Sequence, residues 1–201
     1  MPIADSQQLF RYYAIYKPFG MLSQFSREGN HPTLADLGFD FPKDVYPVGR
    51  LDHDSEGLLL LTNDNRFKTR LLDPKQRHYR TYYVQVEGEI TQQACEELEA
   101  GVTISINGKK HRTLPAQAKK IGEPALPERD PPIRFRKSIP TSWLALSLHE
   151  GKNRQVRRMT AAVGFPTLRL VRWAIGNLTL ENLRPSEVLT LDHQEIKKAM
   201  H

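Results

Sequence analysis

Residues 49–64 read GRLDHDSEGLLLLTND, and the two halves of that stretch ask for opposite surroundings. Asp52, Asp54 and Glu56 alternate ahead of Gly57, and Leu58, Leu59, Leu60 and Leu61 follow without a break. The spacing D-x-D-x-E-G matches the opening of a calcium loop, which needs oxygen ligands at odd positions and a bidentate Glu at the twelfth. Here the twelfth position is Asn63 and leucines fill the interior, so a hard cation has nothing to bind. An unbroken apolar run of this length predicts a buried central strand over 58–62. The acids belong to the turn that leads into it.

Working outward, the pattern predicts an α+β chain without repeats. FRYYAIY at 10–16 reads as a strand that turns at Pro18 and Gly20, and a loop through Gly29, Asn30 and Pro32 leads to a short helix near 33–37. Asn63 or Asp64 can cap a helix over 65–72 that ends before Pro74. TYYVQVEG at 81–88 alternates, with Tyr82, Val84 and Val86 on one face. A helix from about Thr91 to Ala100 stops at Gly101, and VTISINGKK predicts a hairpin turning at Asn107-Gly108. Five prolines between Gly122 and Pro140 predict a long irregular loop. SWLALSLH at 142–149 and TLRLVRW at 167–173 are further strands, and the last dozen residues suit a short surface helix. Between those strands Asn153 can cap a helix over 154–163 with Val156, Met159, Thr160 and Val163 inward. At 100° per residue, Arg154 and Arg158 then face solvent and Arg157 lies on the flank, able to reach into a neighbouring cleft.

Composition bounds the function. A chain of 201 residues suits one domain or two closely packed lobes, and 39% hydrophobic residues suffice for a core. Cys95 is the only cysteine, which rules out an internal disulfide and suits a reducing cytoplasm. The first residues carry no signal-peptide pattern, and no apolar run approaches the ~18 residues of a membrane span. Net charge is +6, yet residues 134–172 hold nine cations against the single acid Glu150. That segment carries +8 and leaves −2 on the remainder, a concentration that points to a polyanionic partner such as nucleic acid. Apolar residues interrupt it throughout, so it predicts a folded basic surface and not a disordered tail.

As chemistry, the acids leave several readings open. Asp52 ends the segment VGRLD just before a turn, two residues from Arg50, where a carboxylate is aimed outward. Alternatively Asp52, Asp54 and Glu56 are ordinary loop acids, or the three ligate the metal of a nuclease. A site from His53 and Asp54 lacks a second ligand pair at suitable spacing. No G-x-S-x-G, phosphate loop or G-x-G-x-x-G occurs, so hydrolase, NTPase and dinucleotide chemistry are unsupported.

GRLDHDSEGLLLLTND resembles the catalytic segment of the RsuA/RluA superfamily of pseudouridine synthases, and three further segments match in order. YKPFGML at 16–22 is similar to the K-P-x-G motif, RTYYVQVEG to K-x-Y-x-V, and EGKNRQVRRMTAAVGFPTLRLVR at 150–172 to the third motif. DPPIRFRKSIPTSWL at 130–144 resembles the RluE branch of the RsuA family, single-domain enzymes acting on large-subunit rRNA. Arg80 departs from the motif's lysine, and the two cations are not geometrically equivalent. The first motif begins only about fifteen residues in, so no S4 RNA-binding domain is expected ahead of it.

The resemblance implies an α+β catalytic domain over 1–201, with a mixed, mostly antiparallel sheet across two lobes and a central active-site cleft. It implies an isomerase for a specific uridine of 23S large-subunit rRNA, needing neither metal nor cofactor, cytoplasmic, monomeric and with no membrane partner. Asp52 would be the catalytic carboxylate, nucleophile or base, with Arg157 paired to it and Tyr82 stacked on the uracil. Asp54, Ser55, Glu56 and Gly57 would shape the turn. Arg50 would touch RNA and help displace the base, and Lys17 would support the cleft. Arg80, Arg134, Arg136, Lys137, Lys152, Arg154, Arg158, Arg169 and Arg172 complete the expected RNA-binding set. A non-catalytic RNA-binding or ribosome-assembly protein is the alternative use of the same basic surface.

Overall fold

A computed structural model describes residues 9–134, 136 and 138–201. In chain order the elements are β1 (Tyr12–Lys17), β2 (Tyr46–Pro47), β3 (Glu56–Thr62), α1 (Asn65–Leu72), β4 (Arg80–Glu87), α2 (Gln92–Glu99), β5 (Thr103–Ile106) and β6 (Lys109–Arg112). There follow β7 (Gln117–Ile121), β8 (Thr141–Leu148), α3 (Gln155–Ala162), β9 (Thr167–Ile175), β10 (Leu178–Thr179), β11 (Val188–Leu191) and α4 (His193–Lys198). Single 3-10 turns span Leu34–Leu37 and Pro74–Gln76.

The leucine run is the centre of the architecture. β3 lies inside a nine-stranded sheet of order β11-β1-β3-β9-β4-β8-β7, with β2 added to β3 and β10 to β9. It is buried along its whole length because the sheet is covered on both faces there. Leu58 and Leu60 pack with Ala14, Tyr16 and Val171 on one side. Leu59 and Leu61 pack with Ile15, Leu34 and Val45 on the other. At about 1.5–3 kcal/mol for each fully buried leucine, this strand alone contributes a large share of the core. A second core forms where Val84 and Val86 of β4 and Leu144 and Leu146 of β8 meet Leu98 of α2 and Met159 of α3.

All neighbouring strands are antiparallel except β3 and β9, which meet in parallel through only two residue pairs, Glu56–Val171 and Gly57–Arg172. That seam requires glycine: Gly57 has φ +114, and a Cβ there would lie 2.4 Å from the Arg172 carbonyl oxygen. Local chemistry sets the helix ends. Asp64 caps α1 by accepting from the Arg66 and Phe67 amides, and Thr91 caps α2 by accepting from Ala94. Asn107 and Gly108 both adopt positive φ in the two-residue turn between β5 and β6.

The structure adds strands that the sequence pattern did not reveal, namely β2, β7, β10 and β11. Between β7 and β8 the chain forms neither helix nor strand among the described residues, as the prolines foretold. It crosses instead as a strap. Leu126 packs on the core around β3, Pro127 accepts from Arg169 Nη2 at 2.9 Å, and the Arg129 guanidinium lies 4.2 Å from the centre of the Phe19 ring. No helix among the described residues is long and apolar enough to cross a membrane.

Candidate active site

Asp52 stands on a tight turn, closed by the Ser55 amide donating to the Asp52 carbonyl at 3.0 Å, immediately before β3 begins. Backbone contacts fix that turn from the β1 side. The Ser23 hydroxyl donates to the Leu51 carbonyl at 2.8 Å and accepts from the Leu51 amide at 3.1 Å. The Gly20 amide donates to the His53 carbonyl at 2.7 Å. Lys17 in turn holds the Gly20 loop, its Nζ donating to the carbonyls of Pro18 (2.9 Å) and Met21 (2.8 Å). Lys17 is fully buried, and burial pushes its ammonium down to about 7 against the pull of Glu56 and Asp54. It steadies the Gly20 loop from within, and its place among the RNA-binding residues is corrected, since a fully buried ammonium offers nothing for RNA to touch.

The three alternating acids have separate partners. Asp54 receives a two-pronged contact from Arg154, Nη1–Oδ1 2.9 Å and Nη2–Oδ2 2.7 Å. Burial alone would raise its carboxyl, but the Arg154 hydrogen bonds and the charges of Arg157 and Arg154 outweigh that and hold it below the ordinary range. Glu56 is buried and forked by Arg169 at 2.9 and 2.7 Å. The expectation that Asp54 and Glu56 merely shape the turn is thus corrected. Both are the acid halves of arginine pairs, which leaves neither free to ligate a metal beside Asp52, and the described residues contain no group of three candidate metal ligands.

Arg154 also lies 3.5 Å from Asp52 Oδ2. The expected partner, Arg157, instead donates to the Asp54 carbonyl at 2.6 Å and meets Asp54 Oδ2 at 3.5 Å. The arginine paired with Asp52 is therefore Arg154, and Arg157 clasps the residue beyond. Arg154 turns inward instead of facing solvent because it precedes the helix, in the left-handed region at φ 50, where 100° per residue does not apply. Arg157 does turn inward from the flank, as expected, and burial pushes its guanidinium down while Asp54 draws it up. Arg158 bonds to Asn153 and to the Ser105 carbonyl, tying α3 to the β5–β6 hairpin.

Asp52, Arg50, Arg80, Tyr82, Lys152, Arg154 and Arg172 line one cavity of about 850 Å³. Tyr82 packs between two cores, so a core position and a cleft position coincide. Glu150, on the same wall, accepts from the Leu114 amide (2.7 Å) and Gln155 Nε2 (2.7 Å) and pairs with His111 Nε2 (3.1 Å), locking the hairpin exit to the start of α3.

The basic segment divides. Arg134, Arg136 and Lys152 are exposed, while Lys137 lies outside the described residues. Arg169 and Arg172 are only 6% and 4% exposed, which corrects their assignment to a basic surface. Arg169 neutralises Glu56, and Arg172 Nε donates to the Leu58 carbonyl at 2.7 Å. Ser23 carried no signal in the sequence, because its partner Leu51 stands 28 positions away, and the arginine that answers Glu56 stands 113 positions away.

Residues 11–162 match the family described as RNA pseudouridylate synthase, and the chain belongs to that family. It is 53% identical over 171 residues to the ribosomal large subunit pseudouridine synthase E of Vibrio vulnificus, covering 85% of this chain and 70% of that protein. The protein of the same name from Xanthomonas campestris pv. campestris is 48% identical over 186 residues, covering 91% and 96%. Among solved structures, one titled "Crystal structure of pseudouridylate synthase" superposes with a TM-score of 0.75 at 28% identity, covering 95% of this chain and 74% of that one. The α+β architecture with its mixed, mostly antiparallel sheet is the fold of that family.

Proposed function

We propose that this protein isomerises a specific uridine of large-subunit ribosomal RNA to pseudouridine, with Asp52 as the catalytic carboxylate. The observation that carries the reading is Asp52 itself. It stands on a turn fixed by Ser23 and Gly20, inside a cavity it shares with Tyr82, with Arg154 orienting its carboxylate. The large-subunit substrate is supported by the names of relatives that match most of this chain.

The reaction breaks the uracil N1–C1′ bond, turns the base and joins C5 to C1′; C5 then gives up its proton to solvent and N1 gains one. Bonds and electrons balance without an oxidant, a reductant or water. The target must quit its stack to reach the cavity, at a cost of a few kcal/mol. Tyr82 stacking on the uracil would offset about 1–3 kcal/mol of that. Asp52 then acts as nucleophile or base at the sugar–base bond. Arg154 and Arg157 serve as positioning residues through Asp52 and Asp54, and Arg50, exposed on the rim, meets the RNA next to the displaced base.

Tritium release from large-subunit rRNA labelled with 5-tritiated uridine tests this directly. Wild type releases tritium without added metal, and Asp52→Asn does not while binding RNA as well or better. Absence of release from free rRNA and from precursor particles alike would refute the enzymatic reading. RNA binding retained in that case would favour the non-catalytic alternative.

A further inference from the structure

One wall of the cleft carries a feature that the catalytic turn does not use. It is built by the end of α1, the start of β4 and the end of β9, through Leu71, Leu72, His78, Arg80, Arg172 and Ile175. Three buried polar atoms on it have no hydrogen-bond partner: Arg172 Nη2, Arg80 Nε and His78 Nε2. Arg172 is 4% exposed, and its Nε is already committed to the Leu58 carbonyl. Elsewhere this chain neutralises the arginines it turns inward, Arg157 with Asp54 and Arg169 with Glu56. Among the described residues, neither Arg80 nor Arg172 has a carboxylate within 4.0 Å. A desolvated guanidinium with a free donor is costly unless something completes it.

The sheet sets these groups side by side. Arg80 and Tyr82 are two apart on β4 and share a face, and Tyr82 pairs with Arg172 across to β9. The register slips between Thr81 and Tyr82, so Trp173 is an extra residue on β9. That irregularity lets Arg172 and Ile175, three apart, both line the cavity, while Trp173 stacks on Tyr83 at 4.9 Å. The two guanidinium groups, neither paired with a carboxylate, thus flank Tyr82, whose side chain meets Arg172 and on which the uracil rests in the proposed function.

We propose that this wall is a subsite for one phosphodiester of the RNA, the one bordering the nucleotide that enters the cleft, with Arg172 and Arg80 as its donors. A phosphate brings the anionic charge and multiple acceptors that two guanidinium forks require, whereas a neutral carbonyl would leave both charges uncompensated. A nucleotide whose base lies on Tyr82 holds its own phosphate one ribose away, which matches a site adjoining that ring. The ligand class follows from the unpaired donors. Only the identity of the incoming strand rests on the isomerase reading.

Binding decides it without turnover. The probes are the trinucleotide UpUpU and its uncharged methylphosphonate analogue, titrated into the full chain while the arginine Nε–H resonances are followed by NMR. Wild type is expected to bind UpUpU roughly tenfold or more tightly than the analogue, with the Arg80 and Arg172 resonances moving for the charged probe alone. Arg80→Gln and Arg172→Lys should each cut that preference to within about threefold. Lys43→Gln, exposed and outside the cavity, should leave it unchanged. Arg172 is part of the interior, so the wild-type resonances and Arg80→Gln decide the matter if Arg172→Lys fails to fold. Stationary Arg80 and Arg172 resonances, or an undiminished preference in Arg80→Gln, overturn the subsite. Tritium release from rRNA is scored separately, so loss of the isomerase reading and loss of the subsite are distinguishable.

Discussion

Glu56→Gln probes what lies beneath Asp52. Both carboxylate oxygens of Glu56 accept from Arg169, and the two side chains are only 5% and 7% exposed. The amide keeps the volume but removes the charge, stranding the Arg169 guanidinium and depriving the buried Lys17 of an attractive neighbour. Removing one member of a buried pair typically costs about 3–5 kcal/mol. For a chain of this size each kcal/mol moves the midpoint by roughly 2–4 °C, so Tm should fall by roughly 6–20 °C. Calorimetry and urea titration measure both Glu56→Gln and the double variant Glu56→Gln/Arg169→Met. The double variant should recover most of the loss, short by about 1 kcal/mol for the Pro127 carbonyl that Arg169 also serves. A loss below about 1 kcal/mol in the single variant, or a double variant worse than the single, would refute the claim that this pair supports the turn that carries Asp52.

Three further outcomes follow from the geometry. Gly57→Ala places a methyl 2.4 Å from the Arg172 oxygen and 2.6 Å from its nitrogen, so it should destabilise by more than about 3 kcal/mol in urea titration or fail to fold. Arg154→Lys keeps the charge but not the fork across Asp54 and Asp52, and kcat for tritium release should drop about tenfold to a hundredfold with little change in KM. Lys17 carries a pH signature. Its folded value is lowered from 10.5 to about 7, so above pH 7 the folded state sheds a proton that the unfolded state keeps until about 10.5. Stability relative to Lys17→Met should therefore rise by a few kcal/mol between those limits and stay flat below them, as parallel urea titrations at stepped pH will show.

What was legible in the sequence was what local chemistry decides. The leucine run announced a buried strand, Asp64 and Thr91 announced helix starts, and Asn107-Gly108 announced a hairpin. The four motifs marked Asp52 and Tyr82, and the structure brings both to one cavity. β7 escaped notice because Ala118 is its only buried residue, so QAKKI shows no apolar alternation. Charge misled more than hydropathy did. Nine cations in one segment suggested a surface, but an arginine's partner is set by the fold, and Glu56 answers Arg169 from 113 residues away. Arg154 was misplaced by applying helical geometry one residue too early. For the buried arginines the missing information was a long-range contact, which composition and periodicity do not encode.

The two-pair parallel seam between β3 and β9 also governs when this molecule becomes competent. Asp52 is synthesised early, yet the strand that closes against its turn runs from Thr167 to Ile175, more than a hundred residues later. The contacts that steady the turn from that side, from Arg154 through Arg172, all come from residues about a hundred or more positions later. Loop closure over such a separation is slow, so the seam should be among the last parts to assemble. A nascent or truncated chain can bury its leucines on β1 while its carboxylate remains unaligned. Alignment of the Asp52 turn thus depends on sequence made long after it: the carboxylate can be set only once β9 has been synthesised and has closed on β3.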